Sequence, residues 1–147
     1  MKGFCTDVFF DYAKKFIEAQ VEEEKPFLAY ISTNAPHGPM HAPEESAAPY
    51  LDQVPSGTAH FFGMIANIDD NVGAMREWLE EKGLAENTIF IFTTDNGSSS
   101  GTKVHPAGMR GGKGSEYDGG HRVPFFMHWP AGGYDKEQYI KPITAHV

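Results

Sequence analysis

The chain has 147 residues, 40% of them apolar, and a formal net charge of −8. That length supports one domain with its own hydrophobic core. The acidic balance excludes a nucleic-acid binder, which needs a clustered cationic face to neutralise phosphates. The single cysteine, Cys5, excludes an intrachain disulfide, and no apolar run nears the roughly 20 residues that cross a bilayer.

Residues 1–4 lead into an amphipathic pattern and not into the apolar segment of a signal peptide. Thr6 or Asp7 can cap a first helix, because either side-chain oxygen can accept a first-turn N–H. Phe9, Ala13, Phe16, Ile17 and Gln20 then recur at helical spacing as an apolar stripe, and Pro26 ends the helix. The acidic run Glu22, Glu23 and Glu24 reads as a solvated helix end that the macrodipole disfavours. Residues 27–31, Phe-Leu-Ala-Tyr-Ile, are continuously apolar, which suits a strand buried on both faces.

From 32 to 55 the sequence is rich in proline and small polar residues, which break helix and sheet alike, so an ordered loop or a linker is expected. A long helix follows. Phe61, Ile65, Ile68, Val72, Met75 and Leu79 alternate in steps of four and three, and Gly83 supplies the stop. Residues 87–94, NTIFIFTT, read as a second buried strand, and 123–129, VPFFMHW, as a third. A further strand is possible around 139–147. The order helix, strand, helix, strand, strand predicts an α/β sheet with helices on its faces, and the crossovers are long enough to link parallel strands.

Between the last two apolar runs, residues 93–124 hold eight glycines, two lysines and two arginines but hardly a core residue. A loop of this length inside one domain points to function. In open α/β sheets ligands gather at the carboxyl ends of strands, so His37 and the Asp95-Asn96 pair would emerge on one edge. Asp95 and Asn96 are hard oxygen donors that suit Ca²⁺ or Mg²⁺, although Asn-Gly is equally a type I′ turn signal. Lys113 lies in Gly-Gly-Lys-Gly, where glycines let backbone approach an anion and the ammonium adds a point charge. The phosphate-loop pattern fails at Ala107 and Gly114, and the dinucleotide pattern fails at Tyr117. A flexible loop with a solvated lysine is the plain alternative. His37 and His41 lie among Pro36, Pro39 and Pro43, which rules out the helical pair of a zinc protease. One histidine at a strand end, such as His37, could still act as an acid or base near neutral pH. Asp69 is adjacent to the long helix's apolar stripe and is expected to bond a neighbouring loop, with Asp70 solvated.

Three stretches, PFLAYISTNAPHGP (26–39), ANIDDNVGAMREWLEEKGLAENTIFIFTTDNG (66–97) and GMRGGKGSEYDGGHRVPFFMHWP (108–130), together resemble the middle of a type I, formylglycine-dependent sulfatase of the arylsulfatase group. The likeness runs from about Thr6 almost to Val147. It implies a partial domain of the alkaline-phosphatase-like three-layer fold, with a mostly parallel sheet, and hydrolysis of sulfate esters on a small molecule or a sulfated glycan. By the same resemblance Asp95 and Asn96 ligate Ca²⁺, Lys113 contacts the sulfate and leaving oxygen, and His37 sits over the scissile bond. The family's nucleophile is a formylglycine made from Cys or Ser in a C/S-x-P/A-x-R motif. Residues 1–147 lack it, since Cys5 is followed by Thr6-Asp7-Val8-Phe9. The family's Asp-Asp pair and its other sulfate-binding lysine and histidine are also missing. The resemblance therefore implies an internal part of a catalytic domain over 1–147, inactive alone, with half a metal site and exposed core surface that favours self-association. Two alternatives stay open. One is a non-catalytic anion- or partner-binding module of the same fold. The other is a phosphonate or phosphate monoester hydrolase of the same superfamily. His105 and the loop 39–55 are guesses for substrate selection.

Overall fold

A 26-residue helix, α3 (Ser56–Glu81), is the longest element of the computed structural model, which describes residues 3–140. α1 (Cys5–Glu22) and α2 (Glu44–Ala47) pack against it, and β1 (Phe90–Thr93), α4 (Asp118–His121) and β2 (Phe125–His128) follow it in the chain. The α/β class is as expected.

α3 starts after Pro55 and ends where Gly83 turns left-handed at φ +68°. Gly83 N–H donates to Glu80 O at 2.9 Å and Leu84 N–H to Leu79 O at 2.9 Å, a Schellman stop that satisfies two terminal carbonyls. Its buried row includes Phe61, Met64, Met75 and Leu79, each contributing about 1.5–3 kcal/mol by leaving water. Two clusters divide the core. Phe10, Met75 and Leu79 form one, at the C-terminal half of α3. Ala35, Phe61 and Met64 form the other, at the N-terminal half. Ile65, expected in the row, is 42% exposed.

α1 packs on α3 through part of the expected stripe, with Ile17 buried and Ala13 against the core cluster, but its face is rotated away from Phe9 and Phe16. Thr6, Phe10 and Ile17 are buried, while Phe9 and Phe16 are 37% and 44% exposed. The reason is polar. Asp7 Oδ1 accepts from Asn67 Nδ2 and from Asn71 Nδ2, each at 2.8 Å, and these bonds fix the rotation of α1 against α3. Neither Thr6 nor Asp7 caps the helix. Its N-cap is Phe4, with no side-chain cap bond.

The proline-rich stretch is not a linker. α2 lies against α3, where Ala47 is 1% exposed and a Cβ on Gly63 would come within 2.8 Å of the Ala47 backbone. Tyr50 meets Phe62 edge-on at 5.6 Å.

β1 and β2 pair antiparallel, Phe90 opposite His128 through Thr93 opposite Phe125. This pair corrects the expectation of parallel neighbours. The intervening chain folds back on itself as a loop and does not cross over the sheet. Phe92 stacks on Phe126 at 6.3 Å on one face. Ile91 and Phe125, on the other, are each 49% exposed. Residues 27–31 form no strand and pair with none among the described residues. Phe27, Ala29 and Ile31 turn inward, and Ile31 joins the Phe10 cluster. Leu28 and Tyr30 are 88% and 90% exposed, so the stretch is buried on one side, not two. The strand expected around 139–147 lies mostly outside the described residues, and Tyr139 and Ile140 are not in one.

Candidate functional site

β1 delivers the chain into Thr94-Asp95-Asn96-Gly97, which turns sharply and runs back along the glycine-rich segment. Gly97 N–H donates to Gly120 O at 3.0 Å, and Lys113 N–H donates to Ser98 O at 3.0 Å. These two bonds lay residues 97–98 against 112–113 and 119–120. The glycines permit it: a Cβ at Gly97 would fall 1.9 Å from Gly119 O, and one at Gly112 would fall 2.8 Å from Ser98 O. The composition of this loop is therefore explained by backbone packed on backbone. The backbone of Lys113 is thereby tied to Ser98, two residues after the Asp95-Asn96 pair.

Asp95 is exposed. Asn96 is half-buried and donates from Nδ2 to Gly97 O at 3.2 Å. That bond leaves its carbonyl oxygen as the donor atom for a cation. Among the described residues the Lys113 side chain is exposed and has no ion pair. The expected hairpin alternative for Asn-Gly does not hold, since residues 98–101 form no strand.

His37 comes from a separate loop. Its N–H donates to Asn34 O at 2.9 Å, and its Nδ1 lies 3.0 Å from Gly38 O. The ring is exposed. The two loops meet through α3 and not along a sheet edge: Ala35 packs on Phe61, and a Cβ at Gly101 would fall 3.0 Å from the same Phe61 ring. Both thus rest on the N-terminal half of α3. His41 and His105 are exposed loop residues. Asp69 and Asp70 both face solvent on α3, and among the described residues Asp69 has no hydrogen-bonded loop partner. Asn67 occupies the buried polar position instead, and among the described residues its Oδ1 has no hydrogen-bond partner.

A calcium ion suits these residues in donor type and not in number. Ca²⁺ takes 6–8 oxygens, and among the described residues no three His, Cys, Asp or Glu side chains converge. Asp95 and Asn96 can supply one edge of such a shell. Sequence spacing did not flag Arg110 or Tyr117, whose side chains stack with the guanidinium carbon 3.7 Å from the ring centroid. Nor did it flag Ser115, whose Oγ accepts from Gly112 N–H at 3.2 Å. A cation and an aromatic seven positions apart form no recognised pattern.

The sequence model of the family described as Sulfatase matches residues 2–147. The chain is similar to YdeN of Escherichia coli (strain K12), itself an uncharacterised sulfatase, at 31% identity over 92% of this chain and 25% of that protein. It is similar to an N-acetylgalactosamine-6-O-sulfatase of Bacteroides thetaiotaomicron at 34% identity over 85% of this chain and 25% of that protein. Among solved structures, Ps i-CgsB in complex with k-i-k-neocarrahexaose matches with a TM-score of 0.80 and 33% identity, over 88% of this chain and 29% of that one. The chain spans about a quarter of the length of the curated relatives it matches. The likeness gives it part of an alkaline-phosphatase-like α/β fold.

Proposed function

The chain belongs to the sulfatase family, and from that premise we propose that residues 1–147 form part of the catalytic domain of a sulfate-ester hydrolase acting on a sulfated glycan. The observation that carries this reading is the Lys113–Ser98 backbone bond at 3.0 Å. It supports the reading by tying the lysine's backbone to the segment just after the Asp95-Asn96 pair.

The roles follow from charge. The Lys113 ammonium binds the sulfate and stabilises negative charge developing on its oxygens and on the leaving oxygen. His37, as an imidazolium, gives its proton to the departing sugar oxygen. Asp95 and Asn96 hold one side of a Ca²⁺ ion, with Mg²⁺ the poorer fit because it demands tighter octahedral geometry. When bound, that ion polarises the sulfate oxygens as a Lewis acid. The nucleophile motif is not among residues 1–147, so in this reading formylglycine belongs to another part of the enzyme and the isolated chain is inactive.

A glycan substrate is favoured by the relative named for N-acetylgalactosamine 6-O-sulfate and by the structure bound to a neocarrahexaose. The finer arylsulfatase assignment concerns which esters are accepted, and an aryl sulfate serves as its probe. The test offers the full-length enzyme sulfated oligosaccharides, an aryl sulfate, and matched phosphate and phosphonate esters. Sulfate release from the oligosaccharides is expected to dominate. Faster turnover of the phosphorus esters would overturn the reading in favour of phosphoryl transfer, and no turnover of any would favour a non-catalytic module.

A further inference from the structure

We propose that Arg110 and Tyr117 are positioning residues that clasp the base of the Lys113 loop and so aim its ammonium. This rests on the reading of Lys113 as the sulfate-binding lysine. The loop between them is built to bend. Gly111 and Gly114 sit at φ +78° and +85°, where other residues are strained. Near the loop's tip, Gly112 and Ser115 hold each other: Gly112 N–H donates to Ser115 Oγ at 3.2 Å, and Ser115 N–H donates to Gly112 O at 3.0 Å. At its base, Gly119 N–H donates to Arg110 O at 2.8 Å. Outside this frame the Lys113 side chain is exposed, and among the described residues no ion pair steers it. In this proposal its direction is set by the backbone frame and thus from the base of the loop.

The side-chain contact at that base is Arg110 over Tyr117, with the guanidinium carbon 3.7 Å from the ring centroid. The two flank a position with no spare room, since a Cβ at Gly111 would fall 2.3 Å from Ser115 Oγ and 3.1 Å from Tyr117 Cβ. The choice of an aromatic face has a consequence for charge. A carboxylate partner would cancel the guanidinium, whereas a ring attracts it through the quadrupole and leaves its charge intact. Arg110 thus closes the loop and keeps positive potential beside Lys113. The neighbouring ion pair, Arg122 with Asp118 at 3.6 Å, does not involve it.

The test is a mutant cycle in the full-length enzyme with an aryl sulfate as probe. Arg110→Met and Tyr117→Leu are each expected to lower kcat roughly 5- to 10-fold, with unchanged melting temperature, because a misaimed group loses rate without loss of fold. Tyr117→Phe keeps the ring face and stays within about twofold. In a Lys113→Ala background, Arg110→Met costs less than about twofold, since a positioning residue then has nothing to position. Arg110→Met and Tyr117→Leu break the same clasp independently, so a folding failure of one leaves the other to decide. Equal losses with and without Lys113 would overturn the inference. So would no loss from either clasp variant in an enzyme that Lys113→Ala impairs. Full activity in Lys113→Ala itself would instead overturn the reading of Lys113, and the clasp with it.

Discussion

Lys113 N–H donates to Ser98 O across 3.0 Å, joining two segments that lie fifteen positions apart. Ser98 follows the Asp95-Asn96 pair directly after Gly97, and Lys113 follows Gly112. The contact between the metal-type donors and the anion-type donor is therefore a backbone contact, and it depends on the absence of side chains around it.

That dependence makes Gly97 a sensitive position. A Cβ there would fall 1.9 Å from Gly119 O, and backbone on both sides must shift to admit it. Gly97→Ala is expected to cost about 1–3 kcal/mol, as overpacking does. Gly73 lies in α3 with nothing within 4 Å of a built Cβ, so Gly73→Ala should stabilise by about 0.5–1 kcal/mol through helix propensity. Urea unfolding of both variants checks the pair. Equal effects would show that the glycine layer is not packed as described.

A second prediction concerns the α1–α3 seam. Asp7 Oδ1 accepts from Asn67 and Asn71 at 2.8 Å each, and Asn67 is 7% exposed. Asp7→Ala strands the buried Asn67 amide, at an expected cost of about 1–3 kcal/mol. Asn67→Ala in the same chain should add less than its own separate cost, because the two share one network. Strict additivity in denaturant unfolding would show that the bonds are not coupled.

The exposed apolar side chains give a third. Leu28 and Tyr30 stand 88% and 90% exposed on a segment whose backbone has no strand partner among the described residues. Ile91 and Phe125 lie open at 49% each. Unpaired backbone beside apolar surface promotes association. Residues 1–147 in isolation should sediment as concentration-dependent oligomers, and Leu28→Lys with Tyr30→Lys should shift them toward monomer. Monomers of the unaltered chain at all concentrations would contradict this.

Calcium supplies a fourth. With Asp95 and Asn96 as its side-chain donors, the isolated chain should bind Ca²⁺ no more tightly than about 10⁻⁴ M, since affinity follows ligand number and rigidity. Calorimetry with Asp95→Ala as the control measures it. Submicromolar binding would show that the shell is assembled from other groups.

Much of this was legible from sequence where the relevant interaction is local. The steps of three and four along α3 and the stop at Gly83 are within-helix properties, and the structure reproduces the stop and the row at Phe61, Met75 and Leu79 but leaves Ile65 exposed. On α1 the expected Ile17 is buried, but apolarity also selects Phe9 and Phe16, whereas Asp7's bonds to α3 turn Thr6 and Phe10 inward. Strand pairing between β1 and β2 is non-local, so their antiparallel register left no trace in either segment's composition. The glycines at 97, 112, 119 and 120 marked a special loop. Which carbonyl each one admits, and the stacking of Arg110 on Tyr117, required coordinates.

The most direct measurement is kcat of the full-length enzyme, wild type against Lys113→Ala, on a sulfated oligosaccharide and an aryl sulfate. Lys113 is exposed and has no ion pair among the described residues, so the variant should melt as the wild type does. A preorganised charge at the reacting group is worth roughly 10²- to 10³-fold in rate. A loss of that order is expected on both substrates with the melting temperature unchanged. Undiminished sulfate release by Lys113→Ala would contradict it.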